Sequence, residues 1–158
     1  IGTLGFRQEV WGAALQGMQD FPFTGMGLGT FRQIARLLYP VSIDPNYDIG
    51  HAHNVFLQSA LDFGLPGMIA LLAIYMITFT QIYSYYSTTN SLANEKTLTV
   101  FKNKVLILGL GTSLLAQMVY SQLDTVAMGS KTNFLFWYLL AMFVSYATIG
   151  RTTFHRHQ

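Results

Sequence analysis

From Met68 to Tyr86 the chain reads MIALLAIYMITFTQIYSYY, with no charged side chain. Wound as a helix, this run extends ~28 Å at ~1.5 Å per residue. That nearly matches the ~30 Å hydrocarbon core of a bilayer. Two more uncharged runs follow, from Val105 to Leu123 and from Phe134 to Gly150. The competing reading is three buried helices of a soluble protein, but such runs leave little polar surface for one. Composition agrees: 51% of the residues are hydrophobic and 10% charged, where a soluble domain carries about a quarter charged. The predicted fold class is therefore all-α integral membrane, with transmembrane helices over about 68–86, 105–123 and 134–150.

Loop charges set the expected orientation. Residues 87–104 hold Lys96, Lys102 and Lys104 against Glu95, and the tail after Gly150 holds Arg151 and Arg156. The short 124–133 loop has only Asp124 and Lys131. With three spans the two basic segments fall on one side, which the positive-inside rule makes cytoplasmic. Residues 1–66 then face outward as a periplasmic helical loop region, and residues 151–158, including His155 and His157, form a solvated cytoplasmic tail. Tyr83, Tyr85, Tyr86, Tyr120, Trp137 and Tyr138 lie near the predicted span ends, as interfacial aromatics do. The chain opens at Ile1, which we read as the start of a C-terminal piece of a longer membrane protein. A net charge of +2 gives no argument for nucleic acid. With no cysteine, thiolate metal sites, thiol nucleophiles and disulfides are excluded.

The polar chemistry is concentrated in residues 1–66. Leu4 to Gln19 reads as an amphipathic helix. Arg7, Trp11, Ala14, Leu15 and Met18 share one face, while Gln8, Gly12, Gln16 and Gln19 share another. Asp20-Phe21-Pro22 ends it, because the residue before proline avoids helix. Gly25, Gly27 and Gly29 alternate after it. Thr30 is placed to cap a short helix to about Leu38, and Pro40 to Gly50 reads as a loop. His51-Ala52-His53-Asn54 precedes a helix from Val55 to Phe63, with Asn54 as its N-cap. Gly64 and Pro66 break that helix before the first span.

Each candidate residue has two readings. His53, near a helix N-terminus, is disfavoured as an imidazolium by the macrodipole. It is then either a general base or a capping and packing histidine. His51 and His53 can chelate, but zinc prefers three or four ligands. Asp44, Asp48 and Asp62 offer no recognisable spacing, so no metal is assigned. Arg7 either lays its stem along Trp11 or clamps a phosphate with its forked donors. Arg32 and Arg36, one turn apart, either do the same or face solvent and lipid headgroups. The Gly25, Gly27, Gly29 series fits neither nucleotide-loop spacing. It forms a tight turn or offers backbone amides to an anion.

In order, Arg7-x3-Trp11, Pro22-x2-Gly25-x-Gly27-x-Gly29-x-Phe31, His51-Ala52-His53-Asn54 and Gly64-x2-Gly67 resemble the O-antigen ligase and polymerase-related family. That family's loop motif is His followed by Asn, Ser or Gln, nine residues, then Gly-x-x-Gly. Here His53-Asn54, Val55 to Phe63 and Gly64-Leu65-Pro66-Gly67 fit without a gap. The resemblance covers residues 5–67, and the later spans agree in number and placement more than in sequence. It implies part of a larger GT-C-like polytopic fold of roughly ten or more spans. Such a glycosyltransferase moves glycan from an undecaprenyl-diphosphate carrier to a glycan or glycolipid acceptor at the periplasmic face, with no cofactor. The family's loop base maps onto His53, and a donor-diphosphate arginine maps best onto Arg7. A further family arginine lies in upstream spans that this chain lacks, so the chain alone is expected to be inactive. The same resemblance takes in bicarbonate-transporter-like members with tails similar to Asp124–Lys131. A transport-related protein and an inactive membrane scaffold are therefore the alternatives. The spans contain no ionisable Asp, Glu, Lys, Arg or His, which disfavours a path through them.

Overall fold

The computed structural model describes residues 3–91, 98–123 and 131–155. Five helices follow in order: α1 (Thr3–Asp20), α2 (Phe31–Leu38), α3 (Val55–Ser91), α4 (Leu98–Tyr120) and α5 (Lys131–His155). No strand occurs among the described residues. The predicted Lys96, Glu95, Arg156, His157 and Asp124–Ser130 segments lie outside them. The described residues group into two compact units: residues 3–73 with 119–123, and residues 74–118 with 131–155.

In the first unit, α1 ends at Asp20, ahead of Pro22 as the sequence requires. Its buried side overlaps the predicted one, with Ala14 buried, Arg7, Trp11 and Met18 half-buried, and Gln8, Gly12, Gln16 and Gln19 exposed; Leu15 is the departure. Val10, Ala13, Ala14 and Gly17 are buried, whereas Leu15 is 50% exposed. Size explains the departure at Leu15. A methyl on Gly17 would sit 2.9 Å from both Leu61 and Met26, so α1 presents its smallest residues to its neighbours and leaves Leu15 outside. The core joins these to Phe31, Ala35, Tyr39, Ile43, Ile49, Ala52 and Leu61. Thr30, the expected cap of α2, has helical dihedrals and makes no side-chain cap bond.

Tyr39 closes this core from the far end of α2. Its hydroxyl donates to Asp20 Oδ2 at 3.0 Å. Burial, then the bond to Asp20 and its charge, push the phenol up to about 12 from 10.0. The folded state thus holds this proton more tightly than the unfolded chain. The stabilisation is complete below pH 10 and is lost as pH rises through about 12. Thermal melts of Tyr39→Phe should show a loss of about 1 kcal/mol below pH 10 and a flatter alkaline decline than wild type. An unchanged alkaline decline would refute the assignment.

α3 is interrupted where predicted. Gly64 has φ 74° and ψ −175°, and Pro66 follows inside the same helix. Among the described residues, the Val55–Ser84 stretch of α3 is the one helix long and apolar enough to cross a membrane; the shorter apolar stretches Lys104–Tyr120 and Phe134–Tyr146 lie in α4 and α5. In the second unit Tyr75, Ile107, Leu110, Leu114, Phe136 and Phe143 are buried, and the Tyr75 and Phe136 rings lie 5.5 Å apart. Met76, Ile77, Phe101, Phe134 and Tyr138 are exposed, so apolar side chains face outward as well as inward, a pattern that fits a lipid surround. The helix backbone of α5 continues through His155, past the predicted end of the third span at Gly150.

Candidate functional site

The site grows from the N-terminus of α3. Asn54 Oδ1 accepts the amides of Phe56 (3.0 Å) and Leu57 (3.1 Å), the cap expected from sequence. The Val55 amide donates to Ser121 O at 2.9 Å. Asn54 Nδ2 reaches Gln122 Oε1 at 3.1 Å. The first amides of this helix are therefore taken by the protein, and the Asn54 side chain ties it to a segment 68 positions away.

The motif spacing now has a mechanical meaning. Nine residues between Asn54 and Gly64 make two and a half turns of helix, ~13.5 Å long. A cap fixes one end and a glycine break the other. The break is filled by the loop of Pro22 and Gly25. Met26 N donates to Leu61 O at 2.6 Å, and Leu65 N donates to Pro22 O at 2.7 Å. These two bonds replace the single Leu65-to-Leu61 bond that an uninterrupted helix would make. Backbones meet so closely here that a Cβ on Gly25 would lie 2.6 Å from Gly64 N.

Immediately before the cap, His53 adopts φ 49°, a left-handed conformation sparsely used by non-glycine residues. Three interactions hold the segment in it. His53 N donates to His51 Nδ1 at 3.3 Å, which leaves the proton of a neutral His51 on Nε2. Trp11 Nε1 donates to Ala52 O at 2.9 Å. Ala52 N donates to Gln58 Oε1 at 2.9 Å. Gln58 is anchored in turn, its Nε2 donating to Asp62 Oδ1 at 2.9 Å, and Gly29 N donates to that same oxygen at 3.0 Å. A continuous hydrogen-bonded line runs from the glycine loop through Asp62 and Gln58 to the histidine segment. Gln58 and Asp62 are both buried; the sequence raised Asp62 only as a metal ligand and Gln58 not at all, although two polar residues one turn apart in the apolar run VFLQSALDF were a usable signal.

The imidazole of His53 is half-buried. It meets the Phe6 ring edge-on at 5.7 Å and the His51 ring at 4.2 Å. Phe6 and Trp11 thus both touch residues 52–53, so this side of α1 runs along the histidine segment. Arg7 follows Phe6 and lies one turn from Trp11, on the shared side. It is half-buried and makes no hydrogen bond or ion pair among the described residues.

The other two arginines are engaged. Arg32 holds Asp48 through two contacts of 3.1 and 2.6 Å. Arg36 donates to Ile43 O and Asp44 O at 3.0 Å each, and also to Tyr47 O. These bonds satisfy the carbonyls of the 43–47 loop. Gly25, Gly27 and Gly29 all have positive φ, which is the turn reading. The amides of Gly25 and Gly29 donate to Phe21 O and Asp62 Oδ1, so these two are not available to an anion. No cluster of three or more metal-ligating side chains occurs among the described residues. Gly67 lies in the first turn beyond the break.

No curated protein matches the chain. A family model described as O-antigen ligase matches residues 2–72. That stretch contains α1, the glycine turn, the histidine segment, the nine-residue helix and the break, and over it the chain is similar to the O-antigen ligase family.

Proposed function

We propose that this chain is the part of a lipid-linked glycan transferase that carries its catalytic base and a donor-gripping arginine. The carrying observation is the histidine segment, braced from both sides, running along the α1 edge that bears the one loop arginine without a partner among the described residues. In this reading His53 accepts the proton of an acceptor sugar hydroxyl. The oxygen attacks the anomeric carbon of the donor glycan, and the bond from that carbon to the carrier diphosphate breaks. The diphosphate leaves as an anion, and the Arg7 guanidinium stabilises its growing charge. Arg32 and Arg36 are left to hold the 43–48 loop. Asn54, Trp11 and His51 position the base, and Gly25, Gly29, Gly64 and Gly67 shape the turn and break beneath it.

The proposed topology puts residues 1–66 on the periplasmic side. Three spans follow at about 68–86, 105–123 and 134–150, with the 87–104 loop and the C-terminus cytoplasmic. The donor is an undecaprenyl-diphosphate-linked polysaccharide, and the acceptor a glycan or glycolipid hydroxyl.

Arginine substitutions in the full-length protein test this reading. Glycan transfer in membrane vesicles should require a much higher donor concentration in Arg7→Ala, with Arg7→Lys only partly restoring it, because lysine lacks the planar fork. Arg32→Ala should change donor dependence little, since its exposed pair with Asp48 contributes roughly 0–1 kcal/mol. Normal donor dependence in Arg7→Ala would remove the clamp. Absence of any transfer by the wild-type protein would remove the transferase reading.

A further inference from the structure

We propose that the 21–28 loop is a membrane-surface contact, with Phe21, Phe23 and Leu28 entering the headgroup–acyl boundary of the leaflet where the α3 span begins. This rests on the membrane reading of the run that starts at Met68.

From Phe21 to Phe31 the chain has eleven residues and no charge. Phe23 is 77% exposed, Leu28 63% and Phe21 36%, so the loop shows apolar side chains outward instead of adding them to the core. Its position is fixed by the backbone. Pro22 O accepts from Leu65 N, and Met26 N donates to Leu61 O. The loop is thus fastened across the break that leads directly into the apolar run. Wherever that run enters lipid, the backbone of the loop is anchored about one to two helical turns before the entry point. An uncharged aromatic loop at that level matches the depth of ~5–10 Å to which interfacial apolar faces sink. The charges that flank the loop in sequence are engaged: Asp20 receives the Tyr39 hydroxyl, and Arg32 holds Asp48. Through Gly29 and Asp62 the same loop is joined to the histidine segment, so lipid contact would fix the height of the site above the bilayer.

The chain has no cysteine, which suits site-directed spin labelling of a full-length protein kept free of other cysteines. Single cysteines at Phe23, Leu28, Ile69 and Asn46 would be labelled and measured in phosphatidylethanolamine–phosphatidylglycerol vesicles. Labels at 23 and 28 should be relaxed more by oxygen than by a water-soluble nickel chelate, as at 69. The label at 46 should show the reverse. If 69 is lipid-like while 23 and 28 behave like 46, the loop contact is refuted and the membrane span stands. If 23 and 28 are shielded from both relaxants, a protein partner covers the loop and the proposal is equally overturned. An aqueous signature at 69 would overturn the span reading and this one together.

Discussion

Replacing His53 with alanine in the full-length protein should lower glycan transfer by roughly 10²–10⁴-fold, the usual contribution of a positioned general base. The donor concentration needed for half-maximal transfer should stay close to wild type, because the donor grip is assigned to Arg7. A second variant separates chemistry from folding. His53→Asn places a residue that tolerates positive φ well at a position with φ 49°, yet offers no imidazole. It should fold like wild type and transfer as poorly as His53→Ala. His51→Ala should be milder, since that ring accepts the His53 amide and acts on the conformation of the base alone. Transfer within a few-fold of wild type in both His53 variants, at equal protein levels, would end the base assignment.

Gly64→Ala should disrupt the loop unit. Two effects add at this position. A side chain at φ 74°, ψ −175°, a conformation essentially reserved for glycine, costs roughly 1–3 kcal/mol. In addition the new Cβ would lie 2.5 Å from the carbonyl carbon and oxygen of Phe23. Those are backbone atoms that cannot rotate aside, and overpacking of this kind costs about 1–3 kcal/mol more. Gly25→Ala meets the same backbone from the other side. Gly29→Ala isolates the conformational effect, because its φ is +70° but nothing lies within 4 Å of its Cβ. In thermal melts of detergent-solubilised protein, Gly64→Ala and Gly25→Ala should fall well below Gly29→Ala. Equal melting of Gly64→Ala and Gly29→Ala would show that the loop does not press on the break.

Much of the local structure could be read from particular residues. Pro22 limits α1, Asn54 caps α3, and Gly64 with Pro66 interrupts it, because capping and helix breaking depend on a residue and its immediate neighbours. The glycine alternation was legible as a turn for the same reason. Other features were not local. Periodicity placed Ala14 and Met18 of α1 inward correctly but also pointed to Leu15, which is left outside because the close approach of Leu61 and Met26 is made at Gly17. Thr30 has the chemistry of a cap but not the backbone conformation to use it.

The sequence by itself determined that the chain is helical, that its second half is suited to lipid, and that His53-Asn54 and Gly64-Leu65-Pro66-Gly67 stand a fixed length of helix apart. Tertiary structure alone decided how the arginines divide. Arg7, Arg32 and Arg36 are chemically equal in the sequence, yet Asp48 takes one and the carbonyls of the 43–47 loop take another. It alone also joined Trp11, Gln58, Asp62 and Gly29 into the brace of the histidine segment. The physical reason is that hydrogen bonds between residues 33 or 41 positions apart are set by which backbones meet in space, and short-range propensity carries no record of that.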